Sequence, residues 1–193
     1  LMTWCVYLTH PEVEIDPDVP IQEWRLSEIG RDRAALAADL PFAKDFQRIV
    51  SSGEVKAVET AEIVGGHLEL KPLVLKALHE NDRSATGYLA REEFERTADK
   101  FFANPDESIR GWERAIDAQM RIVTGIRAVL RSVKEEDPVL FTGHGAVGTL
   151  LMCHLMGAPI SRAHDQKRGG SWYRFDKDWL TSQSGSSLAW TEL

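Results

Sequence analysis

The chain has 193 residues, 43% of them apolar and 27% charged, the length and mix of one full-sized globular domain spanning 1–193. Thirty acids against 23 Lys and Arg leave a formal charge of −7, which argues against nucleic acid or an anionic membrane as partner, since both select a basic surface. No apolar run approaches the roughly 18 residues of a membrane span, the opening Thr3-Trp4-Cys5-Val6-Tyr7-Leu8 lacks the basic flank of a signal peptide, and two cysteines, Cys5 and Cys153, fit buried thiols in a cytoplasmic protein better than a disulfide scaffold.

The predicted elements alternate along the chain. Residues 4–8 read as a first strand, a short apolar run rich in aromatic and β-branched side chains, and His10 follows it. Ser27 is an N-cap for a helix running through Arg33, Leu36 and Leu40, with Pro41 as its stop. A second strand over 48–50 leads to Ser51-Ser52-Gly53, and Thr60 to Val64 belong to a second helix that Gly65-Gly66 ends. A third strand over 73–75 precedes His79-Glu80. Between 105 and 133, Ile109, Trp112, Ile116, Met120, Val123 and Ile126 recur at steps of three and four, which predicts one long amphipathic helix. A fourth strand over 139–141 delivers His144-Gly145, and residues 146–156, apolar nearly all round, read as a buried helix. Residues 171–175 and 188–191 read as two closing strands joined by a Ser/Gly-rich turn. The fold class expected is α/β: a three-layer α/β/α sandwich on a mainly parallel mixed sheet.

Ligands of open α/β sheets bind outside the carboxyl ends of the strands. There the sequence sets out His10, Ser51-Ser52-Gly53, His79-Glu80 and His144-Gly145. Paired imidazoles with a carboxylic acid suit attack at phosphorus. One neutral ring takes up the phosphoryl group, the acid protonates the leaving oxygen, and the second ring with the following helix amides holds the equatorial oxygens. The same groups would serve zinc, but no H-E-x-x-H or H-x-H spacing occurs, so no metal site is expected. Gly143-His144-Gly145-Ala146-Val147-Gly148 also matches G-x-G-x-x-G, with Asp165 further on, but too little chain follows for a second nucleotide-binding half.

The blocks resemble the histidine phosphatase superfamily, also called phosphoglycerate mutase-like. Its Leu-x-Arg-His-Gly-Glu opening corresponds to Leu8-Thr9-His10-Pro11-Glu12, and its Leu-Ser followed by Gly-x-x-Gln-Ala to Leu26-Ser27 and Gly30 through Ala34. Ser-Ser-x-x-x-Arg-Ala-x-x-Thr-Ala corresponds to Ser51 through Ala61, Leu-x-Glu to Leu78-His79-Glu80, Glu-Ser to Glu107-Ser108, and strand-His-Gly to Val139 through Gly145. The resemblance implies a phosphomonoester hydrolase. His10 would be its phosphorylated nucleophile, Glu80 the proton donor, His144 the second imidazole, and Gly145 and Ala146 amides of the oxyanion cradle. It also implies a small phosphorylated molecule or inorganic phosphate as ligand, no cofactor, and a homodimer among the assemblies open to it.

The departures all weaken a phosphate site. Thr9 and Lys56 stand where the family has arginines, Pro11 replaces the Gly after the nucleophile, and Asp16 takes the place of an Asn. Lys is a point charge and Thr has none, whereas Arg offers phosphate a planar fork. Glu12, Glu14, Asp18, Glu54 and Glu59 add negative charge nearby, while Arg83, Arg91, Arg162, Lys167 and Arg168 are cations without a placement. The expectation is a weak phosphatase with Thr9, Asp16 and Lys56 facing substrate, and the alternative is a non-catalytic binding or regulatory protein on the same fold.

Overall fold

The computed structural model describes residues 3–179 and 187–193. Six strands, β1 (Trp4–Thr9), β2 (Arg48–Ser52), β3 (Leu73–Leu75), β4 (Val139–Gly143), β5 (Ser171–Asp176) and β6 (Thr191–Glu192), form one sheet in the order β3-β2-β4-β1-β5-β6. The first four strands of the chain run parallel, β5 runs antiparallel to β1, and β6 pairs antiparallel with β5, which is the mixed α/β sheet expected. Side chains alternate across it with the period of two that a pleated strand imposes. Cys5, Tyr7, Val50, Phe141 and Tyr173 belong to the core on one face, and Val6, Leu8, Ile49 and Leu140 to the core on the other.

Helices α1 (Glu28–Leu36) and α2 (Val55–Leu68) cover the second face, while α4 (Ala115–Ser132) and α5 (Gly145–Met156) cover the first, flanked by α3 (Arg91–Ala103). Ser27 caps α1 as predicted, its hydroxyl accepting from Gly30 N at 3.0 Å, and the chain leaves helical geometry at Leu40, ahead of Pro41. Three predicted boundaries move. Gly65 and Gly66 lie inside α2, which ends instead at Glu69 in a left-handed conformation (φ 58°). Gly65 is there because the chain folds back onto it, and a Cβ would stand 2.3 Å from Leu70 O. The long helix starts at Ala115 rather than 105, since Arg110 (φ 53°) and Gly111 (φ 82°) break the backbone. Its buried stripe runs through Ala118, Ile122, Gly125, Ile126 and Val129, leaving Met120 66% exposed. β6 contains only Thr191 and Glu192, because Leu188 N bonds Met156 Sδ and the Trp190 ring packs on Tyr173 at 4.7 Å. The Ser/Gly-rich turn before it lies largely outside the described residues. α3 was not anticipated: its apolar face, Ala98, Phe101 and Phe102, is embedded in a run of charges.

The fingerprint-like glycines serve packing. A Cβ at Gly143 would meet Tyr7 Oη at 2.2 Å, and one at Gly148 would meet Tyr7 Cε1 at 2.4 Å. The Tyr7 hydroxyl is itself bonded to His144 O (3.1 Å) and N (2.9 Å). After α5 the chain returns as antiparallel β5, so no second nucleotide-binding half exists among the described residues. Nor is any described helix long and apolar enough to cross a membrane.

The Ser27 cap generates a stability test. Ser27→Ala is expected to cost about 1 kcal/mol, or about 2–4 °C in Tm for a domain of this size, whereas Ser27→Asp restores most of it. Thermal melts that leave Ser27→Ala at the parent Tm would show that the cap does not stabilise α1.

Candidate active site

The register of the parallel strands builds the site. Thr9 of β1 pairs with Gly143 of β4, so the residues that follow, His10 and His144, leave the sheet side by side. Their ring centroids are 5.3 Å apart. His10 N continues the ladder to Gly143 O (3.0 Å), and its carbonyl accepts from Gly170 N (3.0 Å). His10 Nδ1 is 2.8 Å from Pro11 O; a carbonyl only accepts, so the proton sits on Nδ1 and Nε2 is bare. Burial lowers this imidazole to about 4.

β2 ends beside the two rings. His144 Nε2 lies 2.7 Å from Ser52 Oγ and 3.2 Å from Glu54 Oε2. The Glu54 carboxylate requires the His144 proton on Nε2, which leaves Nδ1 bare, buried and without a partner among the described residues. Glu54 also accepts from Lys56 Nζ (3.0 Å) and from Glu80 N (2.8 Å). Burial would raise its carboxyl, but the His144 and Lys56 groups around it hold it well below the usual carboxylate range. Burial likewise holds His144 well below its ordinary value, against the pull of Glu54, so the ring is neutral.

Glu80 arrives on the segment after β3. Arg121 of α4 clamps that segment by donating to Ala77 O (2.9 Å), His79 O (2.7 Å) and Glu80 O (3.1 Å), while Glu113 holds Arg121 at 2.8 Å. The Glu80 carboxyl sits on the N-terminus of α5, accepting from Ala146 N (3.0 Å) and Val147 N (2.9 Å). Burial pushes it upward, opposed by Arg83 and those amides.

The residues expected to face substrate are placed differently. Thr9 is fully buried, and its hydroxyl accepts from Gly170 N (3.0 Å) and Ser171 N (3.1 Å) and bonds Gln166 Oε1 (2.7 Å). An arginine there would break the start of β5. Lys56 is spent on Glu54 and on Ile21 O (2.8 Å). Asp16 is exposed, caps its own turn through Asp18 N (3.0 Å), and lines neither cleft beside Glu80. The Ala146 amide is occupied by Glu80, and Gly145 packs against Gln166, where a Cβ would meet Nε2 at 2.4 Å. Of the remaining acids, Glu12 ties Arg33 and Arg168, and Glu59 ties Arg25 and Arg31.

Glu80, Asn81 and Arg83 form a partition between two clefts. The larger, about 590 Å³, includes Glu54, His79 and Arg121; the smaller, about 250 Å³, includes His10, Gly145, Arg162, Lys167 and Arg168. Arg162 and Arg168 are paired with acids, whereas Arg83 and Lys167 have no acidic partner among the described residues. Asn81 is 4% exposed, and its Nδ2 donor has no partner among the described residues. Sequence reading named Arg83 and Lys167 only as loose cations and missed Asn81 and Arg121. The signal available was a lone Arg on the apolar side of α4. No group of acids, histidines and cysteines among the described residues is arranged to hold a metal ion.

The neutral imidazoles generate a pH prediction. His10 takes a proton in the unfolded chain below about pH 6.5 but in the folded chain only near 4, so between these values the unfolded state binds more protons. Stability therefore falls on acidification through that window, and His144 acts in the same direction. The Tm is expected to drop between pH 7 and 5, and to drop less in His10→Gln. An unchanged slope in that variant would show that the folded protein does not hold the His10 ring neutral.

No curated protein sequence matches the chain. Among solved structures, a mycobacterial glucosyl-3-phosphoglycerate phosphatase superposes with a TM-score of 0.76 at 23% identity, covering 99% of this chain and 97% of its own. Bacillus stearothermophilus YhfR superposes with 0.73 at 22% identity (89% and 90% covered). Phosphoserine phosphatase from Entamoeba histolytica, in complex with 3-phosphoglyceric acid, superposes with 0.68 at 18% identity (90% and 90% covered). A model of the histidine phosphatase superfamily (branch 1) matches residues 13–176, beginning just past His10, and on that match the chain belongs to the histidine phosphatase superfamily.

Proposed function

We propose that the protein hydrolyses small phosphomonoesters through a phosphohistidine on His10. The observation that carries this reading is the His10 Nδ1 contact with Pro11 O at 2.8 Å, which leaves a neutral, bare Nε2 in the cleft shared with Glu80 and Arg83. In the first step Nε2 attacks phosphorus and the ester P–O bond breaks. The leaving oxygen takes the proton held by the Glu80 carboxyl, which burial keeps protonated more readily than a free carboxyl. In the second step the Glu80 carboxylate takes a proton from water, the water oxygen attacks phosphorus, and the N–P bond breaks. Inorganic phosphate leaves, with His10 and Glu80 restored.

The equatorial oxygens need donors. The positions that resemble family arginines supply none, since the Thr9 hydroxyl and the Lys56 ammonium are bonded inside the protein. Arg83 and Lys167, neither of them ion-paired among the described residues, are donors on the His10 cleft. A charge-assisted hydrogen bond contributes about 1.5–3 kcal/mol, so losing the two family arginines lowers the rate by about one to two powers of ten each. The expected enzyme is slow. Buried, unpaired Cys5 and Cys153 support a reducing, cytoplasmic setting.

Incubation with labelled p-nitrophenyl phosphate is expected to leave label on the protein and release nitrophenol. His10→Ala should lose both, and Arg83→Leu should lower kcat/KM by about 10–100-fold. Glu80→Gln should slow alkyl phosphates far more than aryl phosphates, whose leaving groups need no proton. A His10→Ala protein that turns over at the parent rate sinks the assignment.

A second reading, a non-catalytic binding or regulatory protein on the same fold, is favoured by Glu54. Its carboxylate occupies three donors that would otherwise hold an oxyanion: Lys56 Nζ, His144 Nε2 and Glu80 N. Glu54→Gln is expected to raise affinity for inorganic phosphate by about tenfold, one charge-assisted contact. Phosphate binding in that variant with no label on His10 in either protein would make the binding reading the correct one.

A further inference from the structure

On the far side of Arg83 from the His10 cleft lies a third cleft, of about 290 Å³, that the chemistry above leaves unused. Its wall is apolar, built chiefly by Ile15, Trp24, Tyr88 and Phe94; its charged residues are Arg83 and Arg91, and no acid lines it. Arg83, Phe94 and Trp112 line both this cleft and the one that holds His10, so the two adjoin across these three side chains. The Arg83 guanidinium lies 5.1 Å from the Phe94 ring centre and 5.6 Å from that of Trp112, stacked where the polar cleft becomes the apolar one.

The indole N–H groups of this wall are consumed inside the protein. Trp24 Nε1 donates to Asp16 O (2.9 Å) and Val19 O (3.0 Å), and Trp112 Nε1 donates to Thr86 Oγ1 (2.8 Å). What remains toward the cleft is ring surface and aliphatic side chain, with the Arg83 and Arg91 guanidiniums and the Tyr88 hydroxyl as its polar groups. Ile15 is 61% exposed and Tyr88 40% exposed, the latter with its ring 5.7 Å from Trp24. Large apolar side chains held open to water around a concave site mark a place where apolar surface is buried by a ligand. A sugar or amino-acid group there would lose water from its hydroxyls or charges along the Ile15, Trp24 and Phe94 side, where no polar group replaces it.

We propose that the phosphomonoester reaching His10 carries an aromatic or otherwise apolar alcohol, whose organic group lies between Ile15, Trp24, Tyr88 and Phe94 while Arg83 at the junction meets its phosphate. This rests on the phosphatase reading for the chemistry, but on the cleft alone for the organic group. The apolar contact orients the ester oxygen toward Glu80, which lines the His10 cleft beside Arg83.

The test compares 2-phenylethyl phosphate with glycerol 1-phosphate, both esters of alkyl alcohols, on the parent, Ile15→Ser and Tyr88→Ser proteins. It also measures binding of 2-phenylethanol, which carries no phosphate, through the tryptophan indole resonances. The parent is expected to favour the phenylethyl ester by about tenfold or more in kcat/KM. Either variant should erase most of that preference and leave the glycerol ester within about twofold, the spread expected for surface changes away from the reaction. Both esters hydrolysed equally, with no effect of the variants, overturns the apolar-group inference and leaves the phosphatase reading intact. If neither ester is turned over but 2-phenylethanol binds and Tyr88→Ser weakens it, the apolar site stands and the phosphatase reading falls. Failure of 2-phenylethanol to shift any indole resonance at millimolar concentration overturns the site itself.

Discussion

Everything at the site follows from the pairing of β1 with β4. Parallel neighbours in this register bring the residues after Thr9 and Gly143 to the same height, and those residues are the two histidines. The pairing is held from beneath by Tyr7, whose ring fills the space left by two glycines and whose hydroxyl bonds both the amide and the carbonyl of His144. A side chain larger than hydrogen at Gly143 or Gly148 would displace that ring and with it His144. The small residues around His144 are therefore packing devices first, and their likeness to a nucleotide fingerprint is a by-product of fitting a helix closely onto a strand.

A second constraint is electrostatic. Glu54, Lys56 and His144 are each less than 5% exposed, and a buried ion pair is tolerable only when its remaining hydrogen-bond capacity is met. Ser52, the Glu80 amide and Ile21 O meet it. The result is a pocket wall that has supplied its own anion. Where a bare cluster of cations would hold a dianion by charge alone, the cations of this site without an ion pair among the described residues are spread out: Lys167 on the His10 cleft, Lys76 on the larger one and Arg83 between them. The apolar cleft borders that same Arg83, so one guanidinium lines both the polar cleft of His10 and the apolar one.

Much of the architecture was legible because periodicity is a local property. The apolar runs of β1, β2 and β4 and the all-round apolar α5 announce themselves in a few residues each, and Ser27 is a cap whose partner is its own helix. The misread boundaries share a cause. Gly65 and Gly66 suggested a helix end, but Gly65 exists for a contact with Leu70 after the chain has turned. The stripe of Ile109, Trp112, Ile116 and Met120 suggested one continuous helix, but Arg110 in a left-handed conformation interrupts it, and no side-chain pattern reports a backbone angle.

The site divides in the same way. Residue identity by itself determined that two histidines and a carboxylic acid lie at strand ends, that the first strand delivers His10, and that the acid balance disfavours nucleic acid; these follow from which groups can titrate and which stretches must be buried. Only the tertiary structure decided what each group is already bonded to. Thr9 resembled a weakened substrate contact until its hydroxyl met Gly170 and Ser171, far along the chain. Lys56 resembled a replacement cation until Glu54 took its charge, and Glu54 itself stood among several acids with nothing to single it out. Arg83 was one cation among many until the fold left it unpaired beside His10. A side chain's charge is written in the sequence, but whether that charge is free depends on partners that only folding brings within hydrogen-bond distance.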